Sequence, residues 1–319
     1  MTPNSPGLAT APIVFVSRHE SGRWLETLGA AMPRERVVDD RVADEAALAE
    51  VEIAIVANPA PERLARYPNL RWVHSVWAGV ERLVPLIAER NLPLVRLVDP
   101  TLANTMAEAV LAWTFYIHRD MPSYAAQQRQ RVWLPHGYVA PGDLTVAILG
   151  LGELGRAAAK RLVDAGYRVT GWSQSEKTIA DVATYTGETG LRTVLANANI
   201  VVVLLPLTPG THHLLNAERI ASMRLGASVI NFARGAVVET NALLNALDDD
   251  ALSHAVLDVF EEEPLPTTSP FWNHPKVTVL PHISAPTNPQ TASRIVAANV
   301  AHYRQTGQVP VTVDTKRGY

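Results

Sequence analysis

The chain has 319 residues, 47% hydrophobic and 18% charged, with a formal net charge of −3. That length predicts about two domains of roughly 150 residues, each able to bury a core. The charge balance leaves no broad basic surface for nucleic acid, and the absence of cysteine excludes disulfides, thiolate metal sites and a cysteine nucleophile.

Taken in order, residues 1–11 read as a loose tail without the basic leader of a signal peptide. Residues 13–16 predict a strand. Residues 21–31, with Trp24, Leu25 and Leu28 at helical spacing, predict a helix. Further strands are expected at 53–56, 70–75 and 94–98, with Trp77-Ala78-Gly79-Val80 leading into a helix that reaches Arg90. Strands alternating with helices imply parallel pairing through helical crossovers. Residues 103–118 predict a long helix, with Asn104 or Thr105 as cap candidates, that Pro122 must kink or end. Trp133-Leu134-Pro135-His136-Gly137 is expected to be loop.

The stretch 144–160 organises the rest. Residues 144–149 are apolar and follow Pro141-Gly142-Asp143, as a buried strand would. Gly150, Gly152 and Gly155 then fall in the spacing G-x-G-x-x-G, and good helix formers follow. Gly150 permits a tight turn, Gly152 lets a pyrophosphate approach the backbone, and Gly155 lets helix and strand pack closely. The phosphates would sit on the unpartnered amides of the helix N-terminus. An ordinary βα turn also uses glycine; the strand–turn–helix context favours a nucleotide.

Beyond it, strands are expected at 167–172, 200–205, 228–233, 253–259 and 276–280, with helices at 193–198, 216–223, 240–247 and 287–306. Arg234, Asp258 and His282 each stand at or just past the C-terminal end of such a strand, the edge where open α/β sheets bind ligands. Residues 127–131 and 248–250 read as solvated charge clusters. His212 and His213 would point oppositely on a regular strand, and no H-E-x-x-H motif is present, so no metal is expected. The longest apolar run, 200–207, is too short to span a bilayer. A cytoplasmic protein with no membrane partner is therefore expected.

These residues together resemble the D-2-hydroxyacid dehydrogenases. The likeness rests on the glycine motif, Leu204-Leu205-Pro206-Leu207-Thr208-Pro209 with Thr211, Asn231-Phe232-Ala233-Arg234-Gly235 and Leu257-Asp258-Val259-Phe260. It continues through Glu263-Pro264-Leu265-Pro266, Pro270-Phe271-Trp272 and Pro281-His282-Ile283-Ser284. Trp77-Ala78-Gly79-Val80, Gly171-Trp172-Ser173 and Arg317-Gly318-Tyr319 resemble the glyoxylate/hydroxypyruvate reductase branch in particular. The resemblance implies two α/β domains with doubly wound parallel sheets. A Rossmann nucleotide domain over 102–284 would be inserted into a flavodoxin-like substrate domain, 1–101, which residues 285–319 rejoin. It also implies a homodimer and a small 2-oxo or 2-hydroxy acid substrate.

Carried over residue by residue, the catalytic set is Arg234, Glu263 and His282. Ala78, Gly79, Arg234 and Trp133 would touch substrate. Gly150, Gly152, Leu154, Gly155, Ser173, Pro206, Thr211, Ala233, Asp258 and Ser284 would touch the cofactor. The chemistry suits these types. A histidine titrates near neutrality and can hand a proton to a forming alkoxide. A neighbouring carboxylate raises its pKa. An arginine grips a carboxylate with its planar fork and stabilises charge on the carbonyl oxygen. Singly, each has a plain structural reading, since this chain has ten histidines and Glu263 ends an acidic run; as a set they favour catalysis.

NAD-specific relatives place a carboxylate at the second strand's end to hold the ribose 2′-OH. Ser173 stands there, which permits a 2′-phosphate. The branch often follows with a basic residue, where this chain has Gln174, and Lys177 is the compensating candidate. NADP(H) is favoured, with NAD(H) the alternative. The competing readings are a nicotinamide-responsive, corepressor-type binding protein and a family enzyme for another 2-oxo acid, such as pyruvate.

Overall fold

The computed structural model describes residues 11–18, 21–43 and 45–319. Apart from Ala11, the expected tail lies outside them. The chain divides into two compact units, one running to Asp99 and resuming at Thr287–Tyr319, the other Pro100–Pro286.

The first unit begins with β1 (Ile13–Ser17), α1 (Gly22–Ala31), β2 (Val37–Asp39), α2 (Glu45–Glu50) and β3 (Ile53–Ala57). It continues with β4 (Trp72–Ser75), α3 (Val84–Glu89) and β5 (Leu94–Val95). The sheet order is β2-β1-β3-β4-β5, every pair parallel, which is the flavodoxin-like order. The central strands IVFVS and IAIVA are buried along their whole length, as strands covered on both faces must be.

The second unit opens with α4 (Pro100–His118) and α5 (Met121–Gln130). Then come β6 (Thr145–Leu149), α6 (Glu153–Asp164), β7 (Arg168–Trp172), β8 (Val182–Tyr185), α7 (Gly187–Asn197) and β9 (Ile200–Val203). It ends with α8 (Ala217–Ala221), β10 (Ala227–Asn231), α9 (Thr240–Asp248), β11 (Leu252–Leu257) and β12 (Val277–Val279). The order β12-β11-β10-β9-β6-β7-β8 is again all parallel. Strand order reverses between β6 and β9, so the dinucleotide crevice of a doubly wound sheet falls at the end of β6. Apolar clusters fill both faces: Met106, Val110 and Leu162 on one, Leu191, Leu215 and Leu243 on the other.

The chain then returns to the first unit as α10 (Pro289–Thr306). Asn288 caps it by accepting the amides of Gln290 and Thr291, and Gly307 ends it in the left-handed conformation. Val296, Val300 and Tyr303 of this helix pack with Phe15 and Trp72.

Three expectations are corrected. Pro122 neither kinks nor ends the 103–118 helix. The chain breaks at Asp120, in the left-handed conformation, and Pro122 sits in the first turn of α5, where its missing N–H costs nothing. The expected strand 94–98 stops at Val95. His212 and His213 do not point oppositely: they lie on a turn, His213 has φ +49°, and their rings stack at 4.0 Å.

Each unit buries a neutral histidine. In β4, His74 donates through Nδ1 to Ser75 O at 2.9 Å, and Nε2 accepts from Asn299 Nδ2 of α10 at 2.8 Å. In β11, His254 Nε2 lies 2.9 Å from Thr278 Oγ1. Burial pushes both pKa values down to about 4, with His274 adding to the effect at His254. Unfolded, each takes a proton near pH 6.5. Between those values the unfolded chain holds more protons, so stability is full above pH 6.5 and falls as the pH drops toward 4. The shift corresponds to ~3 kcal/mol per histidine at the acid limit. Tm should therefore decline from pH 7 to pH 5, and decline less in a His74→Gln, His254→Gln double variant. An equal decline in both would refute this.

Candidate active site

The end of β6 is shaped by backbone approaches that only glycine allows. Gly150 has φ +105°, and a Cβ there would lie 2.6 Å from Leu204 O, just past β9. A Cβ on Gly155 would lie 1.8 Å from Gly150 O. Helix α6 therefore starts directly against the turn. At Gly152, its N-cap, nothing lies within 4 Å of an added Cβ, and no side chain caps the helix. The first-turn amides thus have no side-chain cap, as in an anion cradle. Leu154 packs its side chain into the α4–α6 core.

The other expected cofactor residues follow strands of the same parallel sheet. Ser173, buried at the end of β7, donates from Oγ to Ser175 O at 2.7 Å. Thr211 folds the loop after β9, donating to Pro206 O at 2.6 Å and accepting the amide of Thr208 at 2.8 Å. Ser284 Oγ is buried with no hydrogen-bond partner among the described residues. An unpaired buried hydroxyl costs about 1–3 kcal/mol. With the open helix N-terminus, that orphaned group fits a polar ligand such as a dinucleotide.

Strands β10, β11 and β12 are neighbours and parallel, so their C-terminal ends share one edge. Arg234, Asp258 and His282 follow them in turn. His282 Nδ1 lies 2.8 Å from Glu263 Oε2, and Glu263 Oε1 accepts the amide of Phe260 at 3.0 Å. Nδ1–H is committed to Glu263, which leaves Nε2 as the ring nitrogen available for proton exchange. The Glu263 hydrogen bond raises the His282 pKa above its ordinary value; partial burial and the Arg234 charge oppose it, and the Glu263 and Asp258 charges add to it. For Glu263, burial favours the neutral acid, but the bonds from His282 and the Phe260 amide and the nearby positive charges outweigh it. Its pKa is lowered. Both shifts favour the imidazolium–carboxylate form of the pair.

Backbone splints fix this edge. His282 has φ +55°, a left-handed value that costs a non-glycine residue roughly 1 kcal/mol. Asp258, 2% exposed, accepts the two following amides, Ile283 at 2.7 Å and Ser284 at 2.9 Å. Beyond β10, Asn231 Oδ1 accepts the Ala233 amide and its Nδ2 donates to Arg234 O, each at 3.1 Å. Arg234 Nη1 donates to Ala233 O at 2.6 Å. A Cβ on Gly235 would lie 2.0 Å from the carbonyl carbon of Phe260, so this turn is pressed onto the segment leading to Glu263. Sequence reasoning passed over Asn231; its signal was an amide side chain closing a strand before a turn.

The remaining expected residues lie on other segments of the chain. Ala78 and Gly79, on the loop after β4 in the first unit, are partly buried, and Ser75 Oγ accepts the Trp77 amide at 3.0 Å. Trp133 follows α5 and is 99% exposed. Among the described residues no group of three or more histidine, cysteine, aspartate or glutamate side chains could hold a metal.

A glycine turn of dinucleotide-binding type and, on the C-terminal edge of the same parallel sheet, a histidine–glutamate pair with an arginine are the arrangement of an NAD(P)-dependent oxidoreductase. The sequence model of the D-isomer specific 2-hydroxyacid dehydrogenase NAD-binding domain matches residues 111–284. The glyoxylate/hydroxypyruvate reductase A of Yersinia enterocolitica is 36% identical over 307 residues, 94% of this chain and 97% of the relative. A D-isomer specific 2-hydroxyacid dehydrogenase of Xanthobacter autotrophicus, solved with NADPH and MES, superposes with a TM-score of 0.92 at 38% identity, covering 98% of this chain and 100% of that one. The NADPH-dependent glyoxylate/hydroxypyruvate reductase of Sinorhizobium meliloti, solved with NADP and sulfate, gives 0.87 at 33% identity, covering 97% and 100%. The chain belongs to the D-isomer specific 2-hydroxyacid dehydrogenase family.

Proposed function

We propose that this enzyme uses NADPH to reduce glyoxylate, hydroxypyruvate or a similarly small 2-oxo acid to the 2-hydroxy acid. The observation that carries the reading is the His282–Glu263 pair, joined at 2.8 Å on the strand edge that also bears Arg234. The names of the similar reductases support the substrate class, and the NADPH and NADP bound in the solved relatives support the cofactor. When bound, the dihydronicotinamide supplies the hydride. The amides of the Gly150–Gly155 turn and α6 hold its phosphates, with Ser173, Pro206, Thr211, Ala233 and Ser284 lining the rest. Arg234 grips the substrate carboxylate and draws charge onto the carbonyl oxygen. The family likeness adds Ala78, Gly79 and Trp133 as further candidate substrate contacts. His282 Nε2 delivers the proton to the alkoxide while Glu263 keeps the ring oriented and charged.

The same reading takes the protein as a cytoplasmic homodimer, with domain boundaries in the sequence near residues 101 and 285 and no nucleic-acid partner. The dimer follows from the family likeness and is checked by light scattering. No helix among the described residues is long and apolar enough to cross a membrane.

The test is a spectrophotometric panel of 2-oxo acids with NADPH and NADH side by side. Rapid oxidation of NADPH by glyoxylate or hydroxypyruvate is expected; no oxidation of either cofactor would favour the binding-protein reading. The selectivity also has a residue to answer for it. Ser173→Asp would set a carboxylate against the 2′-phosphate, so the ratio of NADPH to NADH efficiency should fall at least about tenfold, one unfavourable charge contact being worth 1.4 kcal/mol or more. An unchanged ratio would remove Ser173 from the 2′-phosphate site.

A further inference from the structure

The proposed chemistry gives Arg234 a task but not the means by which its guanidinium is aimed. We infer that Asn231 is the positioning residue for Arg234, an inference that rests on the reading of Arg234 as the substrate-binding cation. Asn231 is the last residue of β10 and is 1% exposed. Its backbone is tied into the sheet edge, its carbonyl accepting the Asp258 amide at 3.1 Å. Its side chain therefore projects from a fixed point.

Both ends of that side chain are used on the next turn. Oδ1 takes the amide of Ala233 and Nδ2 gives to the carbonyl of Arg234, so the peptide units flanking residues 233 and 234 are clamped from one amide group. The carbonyl of the clamped Ala233 is the acceptor for Arg234 Nη1 at 2.6 Å. Fixing the turn thus fixes both the root of the arginine and one anchor of its head. Only a side chain with one acceptor and one donor on a short stem does both. The device has a counterpart one strand over, where Asp258 holds the two amides that follow His282. There both targets are donors, and the side chain is a carboxylate. At β10 the targets are one donor and one acceptor, and the side chain is a carboxamide.

The test is a double-mutant cycle read as kcat/KM for NADPH-dependent glyoxylate reduction. Asn231→Ala should lower kcat/KM by about 10–100-fold, as expected for a catalytic group displaced by about an ångström. The Kd for NADPH should stay within about threefold of native, because the phosphate cradle of the Gly150–Gly155 turn does not depend on Asn231. In an Arg234→Ala background, the same substitution should cost less than about threefold, since no guanidinium remains to be aimed. Asn231→Asp keeps the acceptor and loses the donor. It should fall between native and alanine enzymes, and it carries the test if the alanine variant does not fold. Additive losses in the cycle, or an equal weakening of NADPH binding, would overturn the inference alone. Native activity in Arg234→Ala would overturn it together with the role of Arg234 on which it rests.

Discussion

His282→Ala should reduce kcat for 2-oxo acid reduction by about 10²–10⁴-fold, the range that a positioned general acid contributes. The NADPH Kd should stay within about threefold of native, because the phosphate cradle lies at the end of β6 and not at β12. The fold should survive, since His282 is half exposed and its main partner is one carboxylate. The pH profile gives the stronger test. Reduction consumes the proton on Nε2, so kcat/KM should be level at low pH and fall as pH rises through the His282 pKa. Glu263 raises that pKa, so the fall should begin above the ordinary imidazole range. Oxidation of the 2-hydroxy acid needs the neutral ring and should show the opposite limb. Glu263→Gln removes the charge, and one of the two acceptor oxygens, that favour the imidazolium. Its reductive limb should move to lower pH, with a smaller kcat. Near-native reduction by His282→Ala, or a limb unmoved in Glu263→Gln, would end the acid–base assignment.

Much of the fold was legible because buried parallel strands carry continuous apolar runs. Ile53–Ala57, Thr145–Leu149 and Ile200–Val203 are of this kind. The strands that escaped notice are short edges. Val37–Asp39 and Val182–Tyr185 are three and four residues long and only partly covered, so neither apolar run nor alternation marks them. Strand order could not be read at all, because it depends on which crossovers pass each other and no single segment records that. At the site, residue types were visible but not their backbone work. Arg234, Glu263 and His282 announce themselves by chemistry. Asp258 holds the amides of Ile283 and Ser284, bonds that exist only once β11 and β12 lie side by side, and Asn231 holds the Ala233 amide and the Arg234 carbonyl, local bonds that exist only in the folded conformation of the turn after β10. The stacking of His212 on His213 was hidden for a similar reason: a left-handed residue at a turn cancels the alternation that a strand would impose.

Gly155→Ala should have the largest effect on the protein as a whole, and Gly152→Ala separates its causes. An added Cβ at residue 155 would sit 1.8 Å from Gly150 O, a backbone atom with no rotamer to retreat into. Either α6 moves off β6 or the turn opens, and both break the packing of Ala158 and Leu162 against Ile148. Overpacking of a core costs roughly 1–3 kcal/mol, and a backbone obstacle belongs at the upper end. For a unit of this size that is a fall in Tm of about 5–10 °C. NADPH affinity should fall with it, because the amides that receive the phosphates move. At residue 152 the same methyl meets nothing within 4 Å. Gly152→Ala should leave the Tm of the cofactor-free protein within about 2 °C of native, since nothing in the fold is displaced. The methyl would instead occupy the space in front of the helix N-terminus, and NADPH should bind at least about tenfold more weakly for want of close approach to the backbone. Thermal melts with and without NADPH, beside fluorescence titrations, distinguish the two. Native affinity in Gly152→Ala would place the phosphates elsewhere, and an unchanged Tm in Gly155→Ala would deny the contact between α6 and the turn.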